Sequence, residues 1–229
     1  MSRLSLVLGL VLLAILPGTL DAQDVAARLG GRVPPTVRQA VVTIAADAAA
    51  RGLPVEPLVQ KAIEGGAKGV PADRVIAAVR SLAGRLGDAM AALHEAGLAT
   101  PDGDVVEGGA DALNAGLTSH DVRDLVRLSR PPYDPSLTLR VAATLAALGV
   151  PGPQALQLVE GIISAGRSAS DLLALPAEVQ AGVGRGATPA EAAAGLARAA
   201  GGSPPGRTSG FVPPGQSNPH RPPPNPHKP

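Results

Sequence analysis

The sequence predicts an all-α fold built from short helices, and three observations predict it. Apolar residues recur at intervals of three and four through most of residues 34–200, as they do on one side of a helix. Between these stripes, glycine recurs with Pro, Ser or Thr two positions after it. The chain contains no run of alternating β-branched residues of the kind that predicts a strand.

Four apolar stripes carry the helical periodicity. They are Val37, Ala40, Val41, Ile44, Ala45 and Ala48; Val75, Val79, Leu82, Leu86, Met90 and Leu93; Val122, Leu125, Val126 and Ser129; and Leu137, Val141, Leu145 and Leu148. Each spacing places its residues on one side of a helix, where they can be buried together. The chain has one Tyr, one Phe and no Trp, so the core must be built from aliphatic side chains and alanine.

The links between the stripes share one form. They are Gly52-Leu53-Pro54, Gly69-Val70-Pro71, Gly116-Leu117-Thr118, Gly149-Val150-Pro151, Gly166-Arg167-Ser168 and Gly186-Ala187-Thr188. Glycine accepts the left-handed conformation that ends a helix, and Pro, Ser or Thr begins the next one. Three links also have the spacing of a capping box: Thr118 with Asp121, Ser168 with Asp171, and Thr188 with Glu191.

These links divide the chain into expected helices and suggest an internal repeat. The expected helices are 34–50, 54–67, 71–83, 85–96, 102–115, 118–130, 135–148, 151–165, 168–182 and 188–200. Gly52 precedes Gly69 by 17 residues, and Gly149 precedes Gly166 by the same distance. Three-helix repeats over 52–96, 97–148 and 149–200 would stack into a short α-solenoid. The alternative is a compact orthogonal helical bundle, in which such links are simply how an alanine-rich chain turns.

The two ends of the chain differ from this all-helical domain, which spans residues 23–200. Residues 1–22 have the layout of a secretory signal peptide, because Arg3 precedes an apolar run that ends before Pro17. We expect cleavage after Ala22, with an uncleaved membrane anchor as the alternative. Residues 201–229 hold ten prolines and no acid, which predicts a disordered, partly polyproline-II basic tail.

Composition limits the function classes. The chain has no Cys, so it forms neither a disulfide nor a thiolate site. Residues 23–200 carry 16 basic and 18 acidic side chains, and this slight negative balance argues against nucleic acid as a partner. No stretch after the predicted signal peptide is apolar and long enough to predict a membrane span. No motif predicts a cofactor.

A ligand site for an anionic group is suggested by Arg123, Arg127 and Arg130, which are spaced as i, i+4 and i+7. The alternative is a solvated helix face whose charge is neutralised by Asp121 and Asp124.

Acidic residues also gather at a helix start, namely Asp102, Asp104, Glu107 and Asp111. They lack the spacing of a calcium loop, and acids are expected in a first helical turn. His94-Glu95 has no second histidine four residues later. We therefore predict no metal site, and no catalytic motif marks a nucleophile or a phosphate loop.

Two function classes remain. The first is a non-enzymatic envelope or secreted protein, found in the periplasm or outside the cell. It would serve as a helical interaction or scaffold module for an unknown protein or envelope polymer. The second is an enzyme whose carboxylate- or arginine-based site assembles only in the fold. A deep cleft with Asp or Glu from several helices would favour the enzyme, and a flat or gently concave face would favour the interaction module.

Overall fold

The computed structural model describes residues 22–201, and all regular structure in this range is helical, which confirms the predicted fold class. The ten helices are α1 (Ala22–Leu29), α2 (Pro35–Ala50), α3 (Glu56–Ala67), α4 (Ala72–Glu95), α5 (Gly103–Asn114), α6 (Ser119–Leu128), α7 (Pro135–Ala147), α8 (Gly152–Ser164), α9 (Ala169–Gly184) and α10 (Pro189–Ala199).

The helices pack mainly against their neighbours in chain order. Each helix contacts the one that follows it, and nearly every helix also contacts the one two positions further on. α5, for example, packs between α4 and α7 and also touches α6. An array in which each unit meets only nearby units is typical of a solenoid. The compact packing of these helices is compatible with both alternatives, so the stacked array, the orthogonal bundle and the three-helix repeats all stay predictions.

The core is aliphatic and depends on close helix approach. It runs without interruption from α1 to α10 and consists of Leu, Val, Ile and Ala, with Tyr133 as its aromatic member. A Cβ on Gly109 would lie 3.1 Å from the Cβ of Ala89, and one on Gly65 would lie 2.7 Å from a methyl group of Val75. Glycine at these positions therefore lets α5 and α3 approach α4 closely.

The predicted links are confirmed in detail. The glycine of every predicted link has a positive φ: Gly52, Gly69, Gly116, Gly149, Gly166 and Gly186. All three expected capping boxes form both of their hydrogen bonds. In α6, the hydroxyl of Thr118 accepts from the backbone N–H of Asp121, while the Asp121 carboxylate accepts from the Thr118 N–H. α9 and α10 begin in the same way.

The predicted break between helices 71–83 and 85–96 is wrong, because α4 continues from Ala72 to Glu95. Gly84 is helical, since no Pro, Ser or Thr cap follows it and Leu82 and Leu86 continue the same apolar stripe. One glycine inside a helix costs only about 1 kcal/mol, which burial along the rest of the stripe offsets.

Several helix ends differ from expectation by one or two residues, such as the start of α3 at Glu56 rather than at 54 and the end of α9 at Gly184 rather than at 182, and one helix is additional. α1 was not predicted, because its eight residues offer only Val25 and Leu29 as buried positions. α6 ends at Leu128 rather than at residue 130. The prolines at 131 and 132 cause this, because the residue before a proline is disfavoured in the helical conformation.

Some predictions fall outside residues 22–201. The signal peptide lies there except for Ala22, and so does the tail except for Gly201. The cleaved signal peptide and the disordered tail therefore stay predictions. Within residues 22–201, no helix combines the length and the apolar character needed to cross a membrane.

Candidate functional site

The arginines of α6 lie against the end of α4. Arg123 donates to the carboxylate of Glu95, and its second terminal nitrogen lies 3.3 Å from Nδ1 of His120. Arg127 donates to the backbone carbonyl of Glu95 at 3.3 Å and lies 3.6 Å from the carboxylate of Asp124. Both cations therefore stabilise the carboxyl end of a neighbouring helix, where carbonyl groups lack partners and the helix dipole is negative.

The third predicted arginine is separate from these two. Arg130 follows the end of α6 and is exposed, so it does not continue the helical face. The structure thus brings Arg123 and Arg127 together but pairs each of them with an acid. Binding of an anionic group by the three arginines stays a prediction.

A groove between α5 and α7 combines polar side chains in a way that the sequence analysis missed. It has a volume of about 690 Å³ and is open to solvent. Its polar lining residues are Asp111, Asn114, Arg140 and Thr144, and its apolar ones are Ala115, Ala143, Ala146 and Ala147. The two helices approach closely at Gly108, because this residue has no Cβ. A Cβ added there would lie only 3.2 Å from the Cβ of Leu139. The alanines keep the groove shallow and wide.

The charged groups in and beside this groove are the acids of α5 and the guanidinium group of Arg140 on α7. Arg140 on α7 lies 3.7 Å from the Asp104 carboxylate. Partial burial raises the pKa of Glu107, and the negative charge of Asp104 raises it further. Partial burial also raises the pKa of Asp111, against the opposing effect of Arg140. The groove can therefore offer both charge signs, an amide and a hydroxyl to a ligand.

The acidic residues at the start of α5 do not assemble a metal site. Asp102, Asp104, Glu107 and Asp111 come from one helix and the residue that precedes it. Within residues 22–201, no group of three or more His, Asp or Glu side chains could hold a metal ion.

Two other grooves lie near the end of the array. One, of about 490 Å³, is lined by α8 and by Ala200 and Gly201, with Glu160 as its acid. The other, of about 240 Å³, lies between α9 and α10 and contains Glu178 and Glu191. Glu191 already accepts from the Thr188 N–H in its capping box. Neither groove gathers free acids from several helices.

Comparisons of this chain with protein-family models, with curated proteins and with solved structures gave no match. The geometry of the described residues is therefore the ground for a functional proposal.

Proposed function

We propose that this chain is an exported, non-enzymatic helical module that binds a partner in the groove between α5 and α7. The observation that carries the proposal is the open groove with an alanine lining and with Asp111 and Arg140 on opposite helices. Exposed small residues let a partner approach the backbone closely, while the polar side chains orient it.

The partner's chemistry follows from the balance of the lining. One acid, one cation, an amide and a hydroxyl suit a partner that offers both donors and acceptors, such as a polypeptide segment or an envelope polymer. The groove has no aromatic side chain, so it lacks a stacking platform for bases. Export rests on the signal-peptide layout of residues 1–22.

A second candidate function is an enzyme that uses the α5 carboxyl groups. Glu107 and Asp111 favour it, because their spacing of four residues puts them on one helix face and both have raised pKa values. The interaction module is better supported, because the acids come from a single helix and the groove does not enclose a substrate away from water.

Capture from envelope extract tests the proposal. The chain from Gln23 to Pro229 serves as bait, together with Ala147→Arg and Ala199→Arg. Ala147 is exposed and lines the groove, while Ala199 is an exposed alanine on α10 and serves as the matched control. We expect wild type and Ala199→Arg to retain the same partner and Ala147→Arg to lose it. Equal capture by all three would refute binding in this groove.

A separate assay distinguishes the enzyme. Glu107→Gln keeps the shape of the side chain and removes its titration. Hydrolysis of envelope polymer that wild type performs and this variant does not would favour the enzyme. Unchanged partner capture by the same variant, without any turnover by wild type, would favour the interaction module.

A further inference from the structure

The outer face of α9 carries apolar side chains that no other described helix covers. Leu172, Leu175 and Val179 are buried in the core, yet Leu173 is 59% exposed and Val183 is 41% exposed. The exposed residues of the outer face are Ser170, Leu173, Ala177, Gln180, Ala181, Val183 and Gly184. None of them is charged.

The charges of α9 lie on another side of the helix. Glu178 lines the groove between α9 and α10. Asp171 forms the capping box with Ser168 and lies seven residues before Glu178, which places both acids on the same side of the helix. An apolar stripe on a helix normally packs against another part of the protein. At the other end of the array, α1 exposes the polar residues Gln23 and Asp24, as a terminal helix should. The outer face of α9 instead has no charged side chain, and its polar side chains are those of Ser170 and Gln180.

The chain leaves the described residues beside the start of α9. Gly201 follows α10 with a φ of 94° and lines a groove together with Ser164 and Ala165, at the end of α8. α9 begins four residues after Ala165. Phe211 is ten residues beyond Gly201, and an extended chain of that length spans about 33 Å. The sixteen residues of α9 are about 24 Å long, so Phe211 can reach any point on its outer face.

The tail contains one segment that suits this face. Among residues 202–229, Phe211 and Val212 are the only large apolar residues apart from the prolines, and Pro213-Pro214 follows them. Prolines restrict the free segment, so little conformational freedom is lost when it binds. The segment is neutral, like the face. The tether also supplies an effective concentration in the millimolar range, which a second copy of the chain at micromolar concentration does not have.

We propose that residues 211–214 dock on the outer face of α9, with Phe211 covering Leu173. The docking needs only this short segment of the tail. A partner that captures residues 211–214 would uncover the face, and the tail would then compete with any ligand of α9. This inference is independent of the groove between α5 and α7.

Thiol labelling tests the docking, because the chain has no cysteine and an introduced thiol is the only one present. Ala177→Cys places a thiol on the outer face, four residues from Leu173. Val70→Cys places one in the link before α4, at a residue that is 37% exposed, and serves as the control. Each is made in the chain from Gln23 to Pro229, with Phe211 either present or replaced in Phe211→Ser.

We expect alkylation at position 177 to be about twofold faster in Phe211→Ser, because millimolar affinity at millimolar effective concentration keeps the segment docked about half of the time. The rate at position 70 should not change. Equal rates at position 177 with and without Phe211 would overturn the proposal. Protection that rises with protein concentration from 1 to 100 μM would assign the face to a second copy instead. Because Phe211 lies outside the described domain, circular dichroism should be the same for all variants.

Discussion

Two glycine-to-alanine substitutions should change the stability of this domain in opposite directions. A Cβ on Gly66 would lie 2.4 Å from the backbone carbonyl oxygen of Arg32 and 2.9 Å from a methyl group of Val33. A backbone oxygen cannot rotate away, so the link before α2 must shift. A Cβ on Gly84, in the middle of α4, would meet nothing within 4 Å. The same chemical change is thus a clash at one position and a gain in helix propensity at the other.

The magnitudes follow from these contacts. Overpacking costs roughly 1–3 kcal/mol, so we expect Gly66→Ala to lower the free energy of unfolding by about 2 kcal/mol. Gly84→Ala should raise it by about 0.5–1 kcal/mol, because alanine favours the helix and restricts the unfolded chain. For a domain of this size, about 1 kcal/mol shifts the melting temperature by roughly 2–4 °C.

Thermal unfolding, followed by circular dichroism at 222 nm, measures both effects. Gly109→Ala is a second clash variant, because Ala89 on α4 would lie 3.1 Å from the new Cβ. The reasoning would be refuted if Gly66→Ala and Gly109→Ala melted at the wild-type temperature. It would also be refuted if Gly84→Ala melted lower than either of them.

Three further predictions concern the helix links, the acid stability and the processing of the chain. Gly69 has a φ of 64°, inside the left-handed region that asparagine tolerates, whereas Gly116 has a φ of 98°, outside it. Gly69→Asn should therefore lower the free energy of unfolding by less than about 1 kcal/mol, and Gly116→Asn should lower it by more. Equal melting temperatures of the two variants would contradict this. Arg28 donates to Glu56 at 2.5 Å and, with a second hydrogen bond from a glutamine, lowers the pKa of Glu56 from 4.5 to about 2. A lowered folded-state pKa stabilises the fold above pH 4.5, and this contribution, about 1 kcal/mol after screening of so exposed a pair, is lost as the pH falls towards 2. Between pH 6 and pH 2, the melting temperature of Glu56→Gln should therefore fall by less than that of wild type. Sequencing of the exported protein should give Gln23 as its first residue, and a chain that retains Met1 in the membrane fraction would disprove cleavage.

The features that could be predicted from the sequence are those whose partners are close in the chain. The capping box of Thr118 and Asp121 needs only residues three apart, and a positive φ at Gly69 needs only the end of its own helix. The predicted break at Gly84 is wrong because the apolar stripe of α4 continues through this glycine. A helix end needs a cap as well as a glycine.

The candidate sites could not be predicted in the same way, because they depend on which helices meet. Arg123 pairs with Glu95, which lies 28 residues earlier and on another helix. The groove of Asp111 and Arg140 exists because α5 packs extensively on α7, the helix after next, and less on α6, which follows it directly. Nothing in the local pattern of either helix specifies that partner.

The local pattern of helix contacts limits how a site within residues 22–201 can be built. Because helices contact mainly those one or two positions away, a groove draws its lining from segments that are close in the chain, as residues 111–147 do for the groove between α5 and α7. Substitutions in that groove should therefore leave α1–α3 and α10 unaffected, and their effects on stability should add to those of distant variants. Binding is open to such a surface, because a partner can extend along several adjacent grooves.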